Sequence, residues 1–467
     1  MKKIRYILIA LSLFMMLYNT GCKKQLDIKP VDNVEQDLAI KTSKDVEGVL
    51  IGAYTAAALR GVYGGRLMST TDFLADDGDF SYFGSFFDYT QLSNKAITIN
   101  NFYVEGVWDD GYNTINVCNT VLANLNLVDP NKKDKVEGEA RFLRGMTYFD
   151  LARTFGKAWN DGTPSSNLGV PVVLTPTTTI PGIQLVKRNT VAEVYAQAIS
   201  DLTTAESKLE VAKSTYASSS AASAVLARIY LTQENFTQAE AEATKIISSD
   251  IYSLVPLFAD EFQNPEQPTH VFNTSEDIFA IQMSSQSGFN ALNEIFAGSE
   301  FGGRGETIMN DQHFDLYEKG DDRANEFFDD GDIYTAKFNN VYGNVVLIRL
   351  AEIYLIRAEA RIRRPAPNLA GAAADINIVR KRAKLPNTTA NNATTLFAAV
   401  KHERRVELAF EGFRLNDLKR YKESTVTKDE DGNITATFNW DSAKLIFPIP
   451  KRERDANPNL IQNDGYQ

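Results

Sequence analysis

Apolar residues recur every three or four positions along most of this chain, which is the spacing of an amphipathic helix. The pattern starts after Ser43, a residue type that caps helices, and returns over residues 104–125, 137–155 and 190–209. The last of these segments opens with a Thr-x-x-Glu capping box. The sequence therefore predicts a mostly α-helical protein.

Small residues repeat at a fixed distance in successive helix pairs. Ala227 and Ala239 are twelve residues apart, and so are Ala360 and Ala372. This spacing is typical of tetratricopeptide (TPR) repeats, in which small residues let the paired helices approach closely. We predict TPR-like pairs within 137–250 and within 345–421. A single pair cannot bury its apolar face, so we expect the pairs to stack on one another.

Three stretches break the helical period and predict irregular insertions. They are residues 72–101, 157–188 and 251–344, and aromatic residues in them stand among glycine, proline and short polar residues. The helical period returns in a long final helix over 394–421. The Asp431-Gly432 dipeptide then separates two runs of β-prone residues and predicts a small β-hairpin.

The first residues of the chain have the composition of an export signal. Three of the first five residues are basic, and residues 6–18 form an apolar run of thirteen without a charge. A membrane-spanning helix needs about 20 residues, so this run is too short to span. A basic head followed by a short apolar run is typical of a secretory signal. The small residues before Cys22 resemble the lipobox of bacterial lipoproteins, although Asn19 stands where leucine is usual.

These features divide the chain into three parts. We expect residues 1–21 to be a lipoprotein signal peptide, Cys22 to carry the lipid anchor, and residues 22–41 to be a tether. Residues 42–467 would then form a single body held at a membrane by acyl chains. The alternative is ordinary signal cleavage that leaves Cys22 as a free thiol.

Charge and residue counts exclude several classes of function. The net charge of −11 disfavours binding to nucleic acid, which requires neutralisation of phosphates. His270, His313 and His402 are far apart and have no cysteine companions, so we predict no zinc site and no cofactor. The other cysteine, Cys118, lies on an apolar helix face and is expected to be buried.

Two polar motifs have an ordinary structural interpretation. The acidic run Asp76-Asp77-Gly78-Asp79 offers oxygen ligands for calcium but lacks EF-hand spacing, so a solvated turn is the simpler interpretation. The Gly302–Gly305 run, Gly-Gly-Arg-Gly, lacks the strand–helix context of a phosphate loop and predicts a flexible turn.

The charged helix near the end of the chain also favours a structural role. Glu403, Glu407 and Glu411 share one helix face at intervals of four and alternate with arginines. Pairing of these charges between packed helices explains them without catalysis. A glycosidase would need two carboxylates about 5–10 Å apart across a sugar bond, and no local motif indicates such a pair.

Four passages together resemble the SusD/RagB family of outer-membrane nutrient-binding lipoproteins of Bacteroidetes. They are the lipoprotein-like start at Cys22, residues 139–156 (EARFLRGMTYFDLARTFG), residues 402–420 (HERRVELAFEGFRLNDLKR), and residues 447–463 with FPIP and NPNLIQN. The resemblance implies about four TPR-like pairs on one side of the body and ligand-binding loops on the other. It also implies a lipid-anchored protein at the cell surface and a SusC-like TonB-dependent β-barrel transporter as partner.

The aromatic residues of the insertions are the candidate ligand contacts. Rings stack on the C–H faces of sugars while short polar side chains bond to the hydroxyls. The candidates are Tyr82, Phe83, Phe87, Tyr89, Trp159, Phe289 and Phe301. We expect a non-enzymatic protein that captures a glycan. Phe outnumbers Trp, which leaves a peptide ligand open, and a protein-interaction scaffold and a lipid-anchored hydrolase are further alternatives.

Overall fold

The structure is a computed structural model that describes residues 40–177, 185–262, 273–286, 288–329, 331–429 and 432–466. The predicted signal peptide, Cys22 and nearly all of the predicted tether lie outside these ranges. None of the helices in the described ranges is long and apolar enough to cross a membrane.

The described chain is mostly helical, as predicted. Its α-helices are α1 Ser43–Ala57, α2 Arg66–Ala75, α3 Phe87–Ser93, α4 Phe102–Ala123, α5 Lys133–Phe155, α6 Val191–Lys208, α7 Ser219–Thr232, α8 Phe236–Ser248, α9 Ala291–Phe296, α10 Asp311–Phe314, α11 Leu350–Arg363, α12 Leu369–Arg382, α13 Ala393–Glu407, α14 Arg414–Tyr421 and α15 Lys451–Ala456.

The strands are short and form antiparallel pairs. They are β1 Phe80–Tyr82, β2 Asp277–Ile281, β3 Thr307–Met309, β4 Phe327–Asp329, β5 Ile333–Thr335, β6 Val345–Arg349, β7 Thr425–Lys428 and β8 Ile434–Phe438. β1 pairs with β3, β2 with β6, β4 with β5, and β7 with β8. The last pair is the hairpin predicted around Gly432.

Helices pack in series as four pairs, which confirms the TPR-like prediction. The pairs are α1 with α4, α5 with α6, α7 with α8, and α11 with α12. Each pair also packs on the next, through α4 on α5, α6 on α7, and α8 on α11. Sequence analysis did not recognise the first pair, because the 72–101 insertion separates its two helices.

Small residues explain the close approach of paired helices. A Cβ added at Gly145 of α5 would lie 3.0 Å from the Ala198 carbonyl oxygen of α6. Ala227 and Ala239 are fully buried between α7 and α8. Between α4, α5 and α6, the Arg144 guanidinium donates to Asp201 at 2.7 and 2.8 Å and thereby compensates a buried charge.

Two predicted boundaries are wrong. The 72–101 segment, predicted as a loop, begins inside α2 and contains β1 and α3. The final helix, predicted as continuous over 394–421, is broken between α13 and α14. Phe410 and Gly412 adopt φ values of +64° and +78° at this break, a left-handed conformation that no α-helix accommodates. By contrast, the described part of 157–188 forms no helix or strand beyond a single bridge to Thr190.

Arginine–carboxylate pairs buried between elements hold the 251–344 insertion against the repeats. The carboxylate of Glu407 on α13 accepts from Arg349 at 2.5 Å, from Arg323 at 3.2 Å and from Arg382. Arg323 belongs to the insertion, Arg349 ends β6 and Arg382 ends α12. These three arginines lower the pKa of Glu407 far below its usual value, against the opposing effect of burial. The predicted pairing of the charged helix across packed elements is confirmed.

Removal of this central charge should destabilise the protein strongly. Glu407→Gln would remove the carboxylate that three buried guanidinium groups share, so we expect the free energy of unfolding to fall by about 3–5 kcal/mol. Denaturant titration measures the change. Glu47→Gln, which removes the partner of Lys132 in a half-exposed pair, is the matched control and should cost less than about 1 kcal/mol. Equal losses in both variants would contradict this account.

Candidate functional site

Pairing of β1 with β3 brings the first and third insertions together at one surface. Tyr82 pairs with Thr307, and one residue further the Phe83 amide donates to the Glu306 carbonyl oxygen at 2.9 Å. The chain after β1 then turns into α3, and the chain before β3 comes from α9. Residues more than two hundred positions apart thereby share a surface.

Phenylalanine rings project from this junction into solvent. Phe83, Phe87 and Phe102 are 67%, 69% and 62% exposed, and Phe86 between them is half-buried. The Asp88 carboxylate accepts from the Phe102 amide at 3.0 Å and so fixes the start of α4 against α3. We call Phe83, Phe86, Phe87 and Phe102 the aromatic patch.

Two candidate tyrosines lie beneath the aromatic patch. Tyr89 is only 2% exposed, bonds to the Ser69 hydroxyl at 2.8 Å and packs on Phe73 with ring centroids 4.5 Å apart. As a ligand contact Tyr89 is therefore a wrong candidate, because its ring belongs to the core. Tyr82 is half-buried, and its hydroxyl accepts from the Phe86 amide at 3.1 Å, so it supports the patch from below.

The glycine-rich run forms a hydrogen-bonded turn that presents Arg304. Gly302 and Gly305 have φ values of +82° and +62°, and a Cβ at Gly303 would lie 2.1 Å from the Ala297 carbonyl oxygen. Only glycine fits these positions without strain. The Arg304 guanidinium lies 4.0 Å from the centroid of the Phe86 ring and donates to the Ser85 hydroxyl at 2.9 Å. This turn therefore joins the third insertion to the aromatic patch.

The remaining candidates occupy three different surroundings. Phe301 is half-buried on the same turn as Arg304 and packs on Phe328 with centroids 4.9 Å apart. Phe289 is half-buried, with the Arg60 guanidinium 3.4 Å from its centroid. Trp159 packs on Tyr195 at 5.0 Å, in the second insertion beside the end of α14.

Carboxylates at the aromatic patch are held by arginines. Glu306 accepts from Arg304 at 2.6 and 2.7 Å, and this contact lowers the pKa of Glu306 below its usual value. Glu294 lies 3.5 Å from Arg66. A general acid for glycoside cleavage needs a raised pKa, so the state of Glu306 suits hydrogen bonding rather than proton donation.

Sequence analysis did not select several residues of this surface. They are Phe86, Phe102, Arg60, Arg66, Arg304 and Glu306. Phe102 had a usable signal, because it is apolar yet lies off the face of α4 that carries the buried Val104 and Trp108. No sequence signal marks the arginines and Glu306, because their place at this surface depends on contacts between distant segments.

A separate cleft of about 260 Å³ lies at the other end of β1, and charged side chains line it. Asp77 on this side pairs with Arg405 at 3.0 Å and with Arg414 at 3.2 Å. Asp76 accepts from the Asp79 amide at 2.9 Å. The acidic run is thus engaged with arginines and backbone rather than left as a solvated turn. Among the described residues, no group of three or more His, Cys, Asp or Glu side chains is placed to hold a metal ion.

Neither described histidine stands at the patch, and the described cysteine is buried. His313 is fully buried and lies 3.1 Å from the Tyr317 hydroxyl, while His402 lines the cleft; His270 is outside the described residues. Cys118 is inaccessible, as predicted, and burial raises the pKa of its thiol to about 12.

Fold and surface together define a helical-repeat protein with an exposed aromatic face, and comparison with known proteins identifies its family. Residues 24–231 match the family model described as "Starch-binding associating with outer membrane", and residues 323–466 match the SusD family model. The chain belongs to the SusD/RagB family.

The relatives match different shares of the chain. SusD-like protein P2 of Formosa agariphila is 25% identical over 99% of both chains. The starch-binding protein SusD of Bacteroides thetaiotaomicron is 35% identical over 27% of this chain and 22% of its own. A Bacteroides vulgatus protein described as sugar-binding superposes with a TM-score of 0.77 at 28% identity, covering 92% of this chain and 100% of its own. A SusD superfamily protein from the same species shares the fold with a TM-score of 0.81 at 24% identity.

A buried aspartate beside the cleft should make stability depend on pH. Burial raises the pKa of Asp72 to about 8, although the Gly412 amide donates to its carboxylate at 2.8 Å. The folded protein therefore keeps this proton at pH values where the unfolded chain, with a pKa of about 4, has lost it. Stability from this group is complete below pH 4 and is lost as the pH rises to 8.

Asp72→Asn should remove this loss, because asparagine stays neutral and still accepts from Gly412. Between pH 6 and pH 9, the wild-type protein should lose about 2–3 kcal/mol of unfolding free energy relative to the variant. Denaturant titrations of both proteins at the two pH values measure the difference. Parallel pH profiles would contradict the assignment.

Proposed function

We propose that this protein is a cell-surface lipoprotein that binds a glycan on the aromatic patch without cleaving it. It passes the glycan to a SusC-like TonB-dependent β-barrel transporter in the outer membrane. The observation that carries this proposal is the set of exposed rings at the junction of two insertions, with Ser85, Arg304 and Glu306 beside them.

Physical chemistry supports a sugar on this surface. Exposed rings offer flat apolar faces to the C–H faces of pyranose units, and such contacts favour stacking without enclosure. The hydroxyl of Ser85 and the ion pair of Arg304 with Glu306 supply donors and acceptors at the rim of the rings. A rigid turn and a paired strand fix these groups before the ligand arrives, which reduces the entropic cost of binding.

Family membership supports the same assignment. The match to starch-binding proteins associating with the outer membrane, and the relation to the starch-binding protein SusD, both favour a glycan ligand and an outer-membrane location. We further propose that residues 42–467 act as one body, with the candidate residues Phe289 and Phe301 flanking the aromatic patch. The place of Trp159 beside Tyr195 makes it a weaker candidate.

Loss of the exposed rings should weaken glycan binding. We expect Phe83→Ala and Phe87→Ala each to reduce affinity about three- to tenfold, since one ring contact contributes about 0.5–1.5 kcal/mol. Affinity electrophoresis in gels containing soluble polysaccharides identifies a ligand, and calorimetry with its oligosaccharides measures the change.

Ile434→Ala is the matched control, because Ile434 is also 63% exposed but lies on the β7–β8 hairpin. It should bind as the wild type does. Unchanged affinity in both phenylalanine variants would argue against the aromatic patch as the site. Release of reducing ends from the bound polymer would support the hydrolase alternative, and binding confined to peptides or to other proteins would support the peptide or scaffold alternatives.

The anchor can be tested independently of the ligand. If Cys22 is acylated, Cys22→Ser should move the protein from the detergent-extracted membrane fraction to the soluble fraction of the producing cells, because acyl chains supply the membrane affinity. Immunoblots of fractionated cells measure the distribution. Thr20→Ser, a conservative change in the same segment, is the control and should leave the protein in the membrane. A wild-type protein found free in the soluble fraction would contradict the anchor.

A further inference from the structure

Three guanidinium groups are stacked on aromatic rings at the edge of the aromatic patch. Each guanidinium carbon lies close to a ring centroid: Arg60 on Phe289 at 3.4 Å, Arg66 on Tyr103 at 4.6 Å, and Arg304 on Phe86 at 4.0 Å. Cation–π contacts of this kind hold the planar groups in place and leave their edges available.

The three pairs belong to one continuous surface. The Tyr103 ring lies 6.0 Å from Phe86 and 5.7 Å from Phe102, which joins the Arg66 pair to the patch. The Arg66 amide donates to the Arg60 carbonyl oxygen at 3.0 Å, so Arg60 lies beside the same group. We call Arg60, Arg66 and Arg304 the guanidinium row.

The three members of the guanidinium row differ in their ion-pair partners. Glu306 compensates Arg304 at 2.6 Å, and Glu294 lies 3.5 Å from Arg66. The exposed Arg60 guanidinium makes no hydrogen bond or ion pair with any described residue. Arg60 is therefore the one member of the row whose guanidinium has no carboxylate partner among the described residues, although the carboxylates of Asp88 and Asp110 accept from backbone amides nearby.

The Arg60 guanidinium, unpaired and stacked on Phe289 beside the proposed sugar-binding surface, is suited to bind an anionic group. Its fork of N–H donors fits the paired oxygens of a carboxylate or sulfate, and stacking on Phe289 reduces the conformational freedom that binding would otherwise remove. A neutral hydroxyl would accept a charge-assisted hydrogen bond from this cation, whereas an anionic group would in addition be attracted by its full charge. The net charge of −11 disfavours the approach of an acidic glycan to the protein as a whole, so binding requires an unpaired cation at the contact surface.

We propose that the ligand of the aromatic patch is an acidic glycan, one that carries carboxylate or sulfate groups, and that Arg60 determines this specificity. This inference rests on the proposed function. Arg60 receives the anionic group while the exposed rings of the aromatic patch stack on the neighbouring sugars. Arg66 and Arg304 contribute positive potential but retain their carboxylate partners.

The test compares oligosaccharides of equal length and different charge. Oligogalacturonates supply carboxylates, sulfated galactose oligosaccharides supply sulfates, and malto-oligosaccharides are neutral. We expect the wild-type protein to bind at least one acidic series more tightly than the neutral one, with affinity that falls between 50 and 500 mM NaCl. Arg60→Gln should weaken that binding about tenfold and reduce its salt dependence.

Lys381→Gln is the matched control, because it removes one exposed positive charge from α12. It should leave the affinity for acidic oligosaccharides unchanged. Equal affinity for acidic and neutral series, or full affinity in Arg60→Gln, would overturn the inference while leaving glycan binding established. Absence of binding to every oligosaccharide, or binding to acidic peptides alone, would overturn the proposed function and the inference with it.

Discussion

The structure depends on charges that are buried and must therefore be compensated. Glu407 is fully buried and accepts from arginines that belong to three separate segments of the chain. An ionised group in such a place is tolerated only when its partners stay in contact. The third insertion supplies Arg323 to this cluster, so it cannot leave the helical repeats without exposing or orphaning charge. The cluster thereby fixes the position of an insertion whose regular elements are all short.

This constraint extends to the aromatic patch through β3. The insertion held by Arg323 also contributes β3, which pairs with β1, and the glycine turn that carries Arg304. The repeats thus act as a rigid support, and the insertions act as surfaces clamped to it at several points. Such an arrangement suits a binding site that must be shaped before its ligand arrives, because little order has to be gained on binding.

Local periodicity in the sequence encodes the helices, whereas the aromatic patch depends on contacts between distant segments. Helix pairs and the hairpin followed from apolar spacing and turn residues. The left-handed conformation at Phe410 left no such mark, since a phenylalanine rarely adopts it. Phe87 and Tyr89 were equal candidates in sequence. In the structure, α3 places Tyr89 against Phe73 in the core and leaves Phe87 exposed to solvent. The sequence pattern did not predict this short helix. Local sequence patterns cannot predict contacts such as that of Arg304 with Ser85, because the two residues are 219 positions apart.

Contacts of arginine side chains have different roles in the core and at the surface of the molecule. In the core, each arginine that contacts Glu407 is paired with its carboxylate, and these pairs hold the insertion against the helices. At the surface, Arg304 keeps its carboxylate while Arg60 has only an aromatic ring beneath it. A ring holds a guanidinium in position without neutralising it. Replacement of a carboxylate by a ring therefore converts a structural ion pair into a charge that remains available to a ligand.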